Sequence, residues 1–175
     1  FSVAVKDSKI VHTGIKFEVE TNHLRLIAVD GVRLAIRNEE IRYEGENLSF
    51  VVPAKTLSEV LKLINDDEEP IIISVGKRHI VFEVAGYAIT SRLLDGEFLN
   101  YKAAIPSTKK SVVTVDTRKL IDSIDRTSLI ITDKIKSPIK CVFSENLIKM
   151  NCISSLGTAN DKVAANIQGE ECTIG

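Results

Sequence analysis

The 175-residue chain contains no tryptophan, one methionine and four prolines, and aromatic residues make up only 5% of it. Any core must therefore be built from aliphatic side chains, which supply most of the 44% hydrophobic fraction. That fraction excludes an intrinsically disordered chain. Cysteine is scarce: Cys141, Cys152 and Cys172 form an odd set without a CxxC pair. A disulfide framework is not expected, and a reducing, cytoplasmic setting is. The three histidines, His12, His23 and His79, are scattered, so neither zinc nor any other metal or cofactor is expected. No apolar run approaches the roughly 20 residues of a membrane-spanning helix. An excess of charge of one sign is also missing. Lys and Arg number 23 against 24 Asp and Glu, a formal net charge of -1. Overall charge thus gives no sign of a nucleic-acid partner, and any such contact requires basic residues sorted onto one face.

What is present reads mostly as short strands. In TGIKFEVE (13–20), Ile15, Phe17 and Val19 alternate at period two, and Leu24, Leu26 and Ala28 continue the alternation after the turn ETNH. Asp30-Gly31 is a strong two-residue hairpin signal, with Val32, Leu34 and Ile36 alternating beyond it. Residues 70–94 form a second strand set, with Gly76-Lys77 and Gly86 at the turns. Two segments break the pattern. Over 52–66, Leu57, Val60, Leu61 and Ile64 fall at helical spacing behind Pro53, with Lys55 and Lys62 away from the stripe. Over 114–129, Leu120, Ile121 and Ile124 form the stripe, and Thr114 or Asp116 is positioned to cap the helix. The polar stretch IPSTKKS (105–111) is the best domain boundary.

The chain also repeats itself. IKFEVETNHLRLIA (15–28) and IKCVFSENLIKMNC (139–152) align at an offset of 124 residues. The apolar positions coincide, Asn22 falls on Asn146, Arg25 falls on Lys149, and the turn keeps its length. A repeat of that size is a domain rather than a solenoid unit. The helix at 114–129, moved back by this offset, falls before and across Phe1. The first copy is thus expected to lack its leading helix, and the chain to be a piece of a longer protein.

Three blocks, TGIKFEVETNHLRLIAVDGVRLAI, FVVPAKTLSEVLKLI and SRLLDGEFLNYKAAIP, resemble in that order the bacterial sliding-clamp family, the beta subunits of DNA polymerase III. FSENLIKMN carries a weaker likeness in the second half. The resemblance implies an α+β DNA-clamp fold of repeated domains, each with two helices packed on antiparallel sheets. Residues 1–106 would be the middle domain, lacking its first helix, and 107–175 the first half of the third. It implies a non-catalytic processivity factor, a head-to-tail homodimer closed around duplex DNA, which it binds without reading sequence. By position, Lys6, Lys55, Lys62, Arg118, Lys119 and Arg126 are candidates to face the phosphates, and Leu129 and Ile130 to face the partner subunit.

In this family the DG-x-RLA segment lines a pocket between the second and third domains. Polymerase, clamp loader and repair proteins insert short apolar-aromatic peptides there. The corresponding positions are Val29, Gly31, Val32, Arg33 and Leu34, with Arg33 offering a stacking stem or a carboxylate partner. Four further pocket positions depart from the family pattern. His12 replaces an apolar residue and Leu99 a typical proline, while Ala103 and Ala104 replace a larger basic and aliphatic pair. An interaction module of duplicated units, without DNA, remains the alternative. Carboxylates such as Asp30, Asp95, Glu97 and Asp122 form no recognisable acid/base pair, and VGKRH lacks phosphate-loop spacing, so an enzyme is not expected.

Overall fold

A computed structural model describes residues 1–7, 9–64, 70–132 and 137–175. The chain divides into two compact units, Phe1–Ala104 and Ile105–Gly175.

In the first unit a 3-10 turn, Ile10–Thr13, leads into strands β1 (Gly14–Glu20), β2 (His23–Val29), β3 (Leu34–Glu40) and β4 (Leu48–Pro53). They form one antiparallel sheet in the order β3-β2-β1-β4. Helix α1 (Ala54–Leu63) follows, then a three-stranded meander of β5 (Ile72–Val75), β6 (His79–Val84) and β7 (Tyr87–Arg92). A single bridge, Val51 to Leu94, ties the meander's exit to β4. The core holds Phe17, Val52, Val60, Ile80, Phe82 and Val84, with Phe17 stacked on Phe50 at 5.2 Å. Strands β1 and β4 run close at Gly14, where a Cβ would stand 2.5 Å from the Val52 carbonyl oxygen. A short helix, α2 (Tyr101–Ala104), completes the unit.

The second unit contains β8 (Ser111–Val115), α3 (Thr117–Ser128), β9 (Lys140–Ser144), β10 (Leu147–Ser154), β11 (Gly157–Gly169) and β12 (Cys172–Ile174). Its five-stranded sheet has the order β12-β9-β10-β11-β8. Ile148, Met150 and Val163 are buried at its centre. Asp116 caps α3, its side chain accepting the Lys119 amide at 2.9 Å. Thr114, the other capping candidate, lies in β8.

The repeat is visible in hydrogen bonds. Asn22 and Asn146 both sit in left-handed backbone at the β1–β2 and β9–β10 turns, with φ of 58° and 57°. The Asn22 side chain accepts the Tyr43 amide at 3.3 Å, and its carbonyl accepts the Ile41 amide at 3.2 Å. At the same offset, Asn146 accepts the Ile167 amide at 3.2 Å and the Ala165 amide at 2.9 Å. The hairpin registers also coincide: Leu24 faces Glu39 as Ile148 faces Val163.

Three expectations require correction. First, the hairpin at Asp30-Gly31 forms, but β2 ends at Val29 and β3 begins at Leu34, so Val32 belongs to the loop rather than to the strand and projects from it, 90% exposed. Second, α1 does not bury the expected stripe. Leu57, Val60 and Leu63 pack inward, while Leu61 is 69% exposed and Ile64 lies beyond the helix end. A hydrogen bond between the Thr56 and Ser91 hydroxyls, 2.7 Å, joins the Thr56 side of the helix to β7 and leaves Leu61 outside. Residues 65–66, the expected end of this helix, lie outside the described residues.

Third, α3 turns Ile121 and Ile124 outward and buries Ser123 and Thr127. The two small side chains let the helix lie close to the sheet, and both hydroxyls are satisfied there. Ser123 donates to the Met150 sulfur at 3.7 Å, and Thr127 donates to the Ser123 carbonyl at 2.8 Å. For α1, Val60→Ala is expected to lower stability by roughly 2 kcal/mol, and Leu61→Ala by less than about 0.5 kcal/mol. Urea unfolding of the two variants checks which face the sheet covers.

Candidate functional site

The loop after β2 is organised by one side chain. Asp30 Oδ1 accepts the amides of Val32, at 3.3 Å, and Arg33, at 2.8 Å. Its Oδ2 accepts the Arg33 guanidinium, Nε at 2.7 Å. The Asp30 amide in turn donates to the Arg33 carbonyl at 3.2 Å. This is an Asx turn closed by an ion pair. Gly31 takes φ of 87°, and a Cβ there would meet nothing within 4 Å, so its backbone faces open space. The corresponding turn of the second unit, Ser154 to Gly157, instead continues the strand ladder by one pair. The Ser154 hydroxyl there accepts the Leu156 amide at 3.1 Å, as Asp30 accepts that of Val32, so what is particular to the first unit is the Arg33 ion pair. Arg33 already holds a carboxylate, its own neighbour's. That ion pair, with the two amides, holds the Asp30 carboxyl below its ordinary value of 3.8.

Among the remaining pocket candidates, Val29 is buried, Leu34 is half-buried and Ala103 and Ala104 are exposed on α2. His12 closes the 3-10 turn, its Nδ1 3.0 Å from Asp7 Oδ2 and its ring edge-on to Phe98 at 5.5 Å. Leu99, 39% exposed, lines a concavity of about 300 Å³ with Phe98, Tyr101 and Glu18. The nine candidates thus fall into two groups, one on the β2–β3 hairpin and one around Phe98 and α2.

A network beside the second group has no counterpart in the sequence reading. The Tyr101 hydroxyl donates to Glu18 Oε2 at 2.7 Å, Lys16 pairs with Glu18 Oε1 at 2.8 Å, and Arg25 reaches Glu18 Oε2 at 3.4 Å. Burial alone would raise the Glu18 carboxyl, but Lys16, Tyr101 and Arg25 outweigh it and the net displacement is downward. Burial and Glu18 push the Tyr101 hydroxyl up. Glu18 and Tyr101 lie 83 residues apart, so no local spacing announces the pair.

The basic candidates are all exposed, but their electrostatic surroundings differ. Lys62 pairs with Glu59 at 2.9 Å, Arg118 with Asp122 at 3.2 Å, and Arg126 with Asp161 at 2.7 Å. Lys6, Lys55 and Lys119 make no ion pair among the described residues. Lys55 and Lys119 lie on α1 and α3, whereas Lys6 lies in the irregular segment before the 3-10 turn. Leu129, at the end of α3, is 78% exposed, and Ile130 is half-buried. Leu129 therefore does not complete the helix's buried stripe.

The model of the DNA polymerase III beta subunit central domain matches residues 1–100, and that of the C-terminal domain matches residues 102–175. The chain belongs to the DNA polymerase III beta subunit family. A curated relative, the beta sliding clamp of Haemophilus influenzae, is 29% identical over 176 residues, which cover all of this chain and 48% of that protein. Among solved structures, the DNA polymerase III beta subunit of Thermotoga maritima superposes with a TM-score of 0.86 at 31% identity, covering 98% of this chain and 47% of that one. The Bacillus subtilis DNA polymerase sliding clamp gives 0.93 at 26% identity, covering 99% and 47%. The chain spans about half the length of these relatives. The α+β architecture is that of the beta-subunit fold.

Within this family member, the Asp30–Arg33 pair yields a titration prediction. The folded carboxyl titrates below its unfolded value, so its contribution is present above the unfolded value and is lost as pH falls through the folded one. Carboxyl-carbon NMR titration should place Asp30 below 3.8, and Arg33→Ala should move it back up. An Asp30 titration unchanged by Arg33→Ala would contradict the turn's electrostatics.

Proposed function

We propose that the chain is part of a DNA sliding clamp, with residues 1–106 in its middle domain and 107–175 in its third. It acts as a non-catalytic accessory subunit of the replicative polymerase in the bacterial cytoplasm. Two full-length subunits close head to tail into a ring around duplex DNA. The observation that carries this reading is the succession of two matches in one chain, central domain then C-terminal domain. The hydrogen-bond pattern shared by the Asn22 and Asn146 turns supports duplicated domains independently.

Such a clamp works by topology. A closed ring cannot leave the duplex sideways, and strong phosphate contacts would impede sliding. The charge pattern suits that demand. Lys62, Arg118 and Arg126 are each offset by a carboxylate of the same unit, leaving Lys6, Lys55 and Lys119 for weak, exchangeable contacts. Leu129 and Ile130 would be covered by the partner subunit. Polymerase, clamp loader and repair proteins would be tethered by short apolar-aromatic peptides. Gly31, Val32 and Leu34 would receive them on one side and Leu99, Ala103 and Ala104 on the other, with His12 and Val29 beneath and Arg33 at the rim.

The test uses the full-length parent protein loaded by its clamp loader onto nicked circular DNA. Retention on the circle in high salt, followed by loss once the circle is cut, is the expected result. Equal retention on circular and linear DNA would indicate surface binding and favour a non-DNA interaction module. No retention on either, with loading confirmed, would refute the clamp reading.

A further inference from the structure

The first unit holds a second feature that the clamp reading leaves unused. A cavity of about 470 Å³ opens beside the turn between β5 and β6. Lys77 and Arg78 from that turn and Arg92 from the end of β7 line it, together with Lys16. Backbone bonds hold this arrangement. The Gly76 amide donates to the His79 carbonyl at 2.8 Å and closes the turn. The Leu93 amide donates to the Arg78 carbonyl at 2.8 Å and keeps the end of β7 beside it. Lys16 is committed to Glu18. Lys77, Arg78 and Arg92 make no ion pair or side-chain hydrogen bond among the described residues. Unpaired surface cations are ordinary, but three converging on one concavity create a local positive potential suited to an anion.

The cavity's position identifies the anion's source. Phe98 lines both this cavity and the concavity that contains Leu99. It carries the His12 ring on its edge and the Lys16 ammonium 5.8 Å from its centre. The basic cavity is therefore continuous with one side of the proposed peptide-binding surface. Asp95 and Glu97 also line it, and they would repel a continuous phosphate backbone. One or two discrete carboxylates, unlike a continuous backbone, need meet only the three cations.

We propose that the Lys77, Arg78 and Arg92 cavity docks acidic residues flanking the apolar-aromatic core of partner peptides. The inference rests on the peptide-binding reading and extends it to a charge preference: partners with glutamate or aspartate beside the core are held more tightly. These exposed ion pairs act additively with the apolar contacts and weaken as salt rises.

The experiment uses the full-length parent protein and fluorescent peptides with a Leu-Phe core. One set carries three flanking glutamates, at either end of the core, and its twin carries glutamines. For the unmodified protein, the better glutamate peptide should bind roughly threefold to thirtyfold more tightly than its glutamine twin at low salt. The triple variant Lys77→Gln, Arg78→Gln, Arg92→Gln should abolish that advantage while binding the glutamine peptides as before. Its urea midpoint should be unchanged, because all three side chains are exposed. Equal binding of both peptide types to the unmodified protein would overturn the acidic-docking proposal alone. Binding of neither would overturn the peptide-binding reading as well. A triple variant that kept the glutamate preference but bound duplex DNA more weakly would assign the cavity to phosphate and likewise overturn the proposal.

Discussion

Each half of the chain depends on an asparagine that holds a hairpin in register. A one-residue slip of a strand pair would move every side chain to the opposite face and take the apolar set out of the core, so register must be fixed. Asn22 and Asn146 oppose that slip. Each adopts a left-handed conformation that asparagine tolerates better than most residues, which closes a two-residue turn. Each then accepts a backbone amide from further along the chain, Tyr43 just past the end of β3 or Ile167 in the second half of β11. The carboxamide thus ties three chain segments together. With register held there, Phe17 and Ile148 are directed into their respective cores.

Because register is held at one end of the hairpin, the other end is free to differ. In the second unit the β10–β11 ladder runs on to Ser154 and Gly157. In the first, the strands end at Val29 and Leu34, and Asp30, paired with Arg33, holds a loop of the same length that leaves Gly31 open and Val32 exposed. An exposed valine and an accessible backbone contribute nothing to the core of their own unit. They make sense as a recognition surface displayed on a scaffold whose stability is supplied elsewhere.

Much of this was legible in the residues because the information was local or periodic. Alternation at period two located β1 and β2, the turn glycines Gly76 and Gly86 marked out the strand set of residues 70–94, and the Asn22–Asn146 correspondence disclosed the duplication. Helix existence was also legible; helix orientation was not. The apolar arcs of α1 and α3 are wide enough to permit several docked faces, and long-range contacts choose among them. The docked face of α1 carries the Thr56–Ser91 hydrogen bond and leaves Leu61 out, and that of α3 buries Ser123 and Thr127 and leaves Ile121 and Ile124 out. At the candidate site, Gly31 and Leu99 came from the family resemblance of the motifs that contain them. The Glu18–Tyr101 contact and the convergence of Lys77, Arg78 and Arg92 were not, because they join residues that only the folded sheets bring together. Ion pairing of Lys62, Arg118 and Arg126 was equally hidden, although it separates locally neutralised cations from available ones.

The central structural claim is that one register-holding device occurs twice, and amide hydrogen exchange tests it most directly. Asn22→Ala should accelerate exchange at Tyr43, and Asn146→Ala should do the same at Ile167. Each increase should be roughly fivefold to tenfold for the loss of one side-chain acceptor and its favoured turn. If Tyr43 and Ile167 kept their protection in the two variants, the asparagines would not hold the hairpins, and the correspondence between the halves would be one of pattern without shared physics.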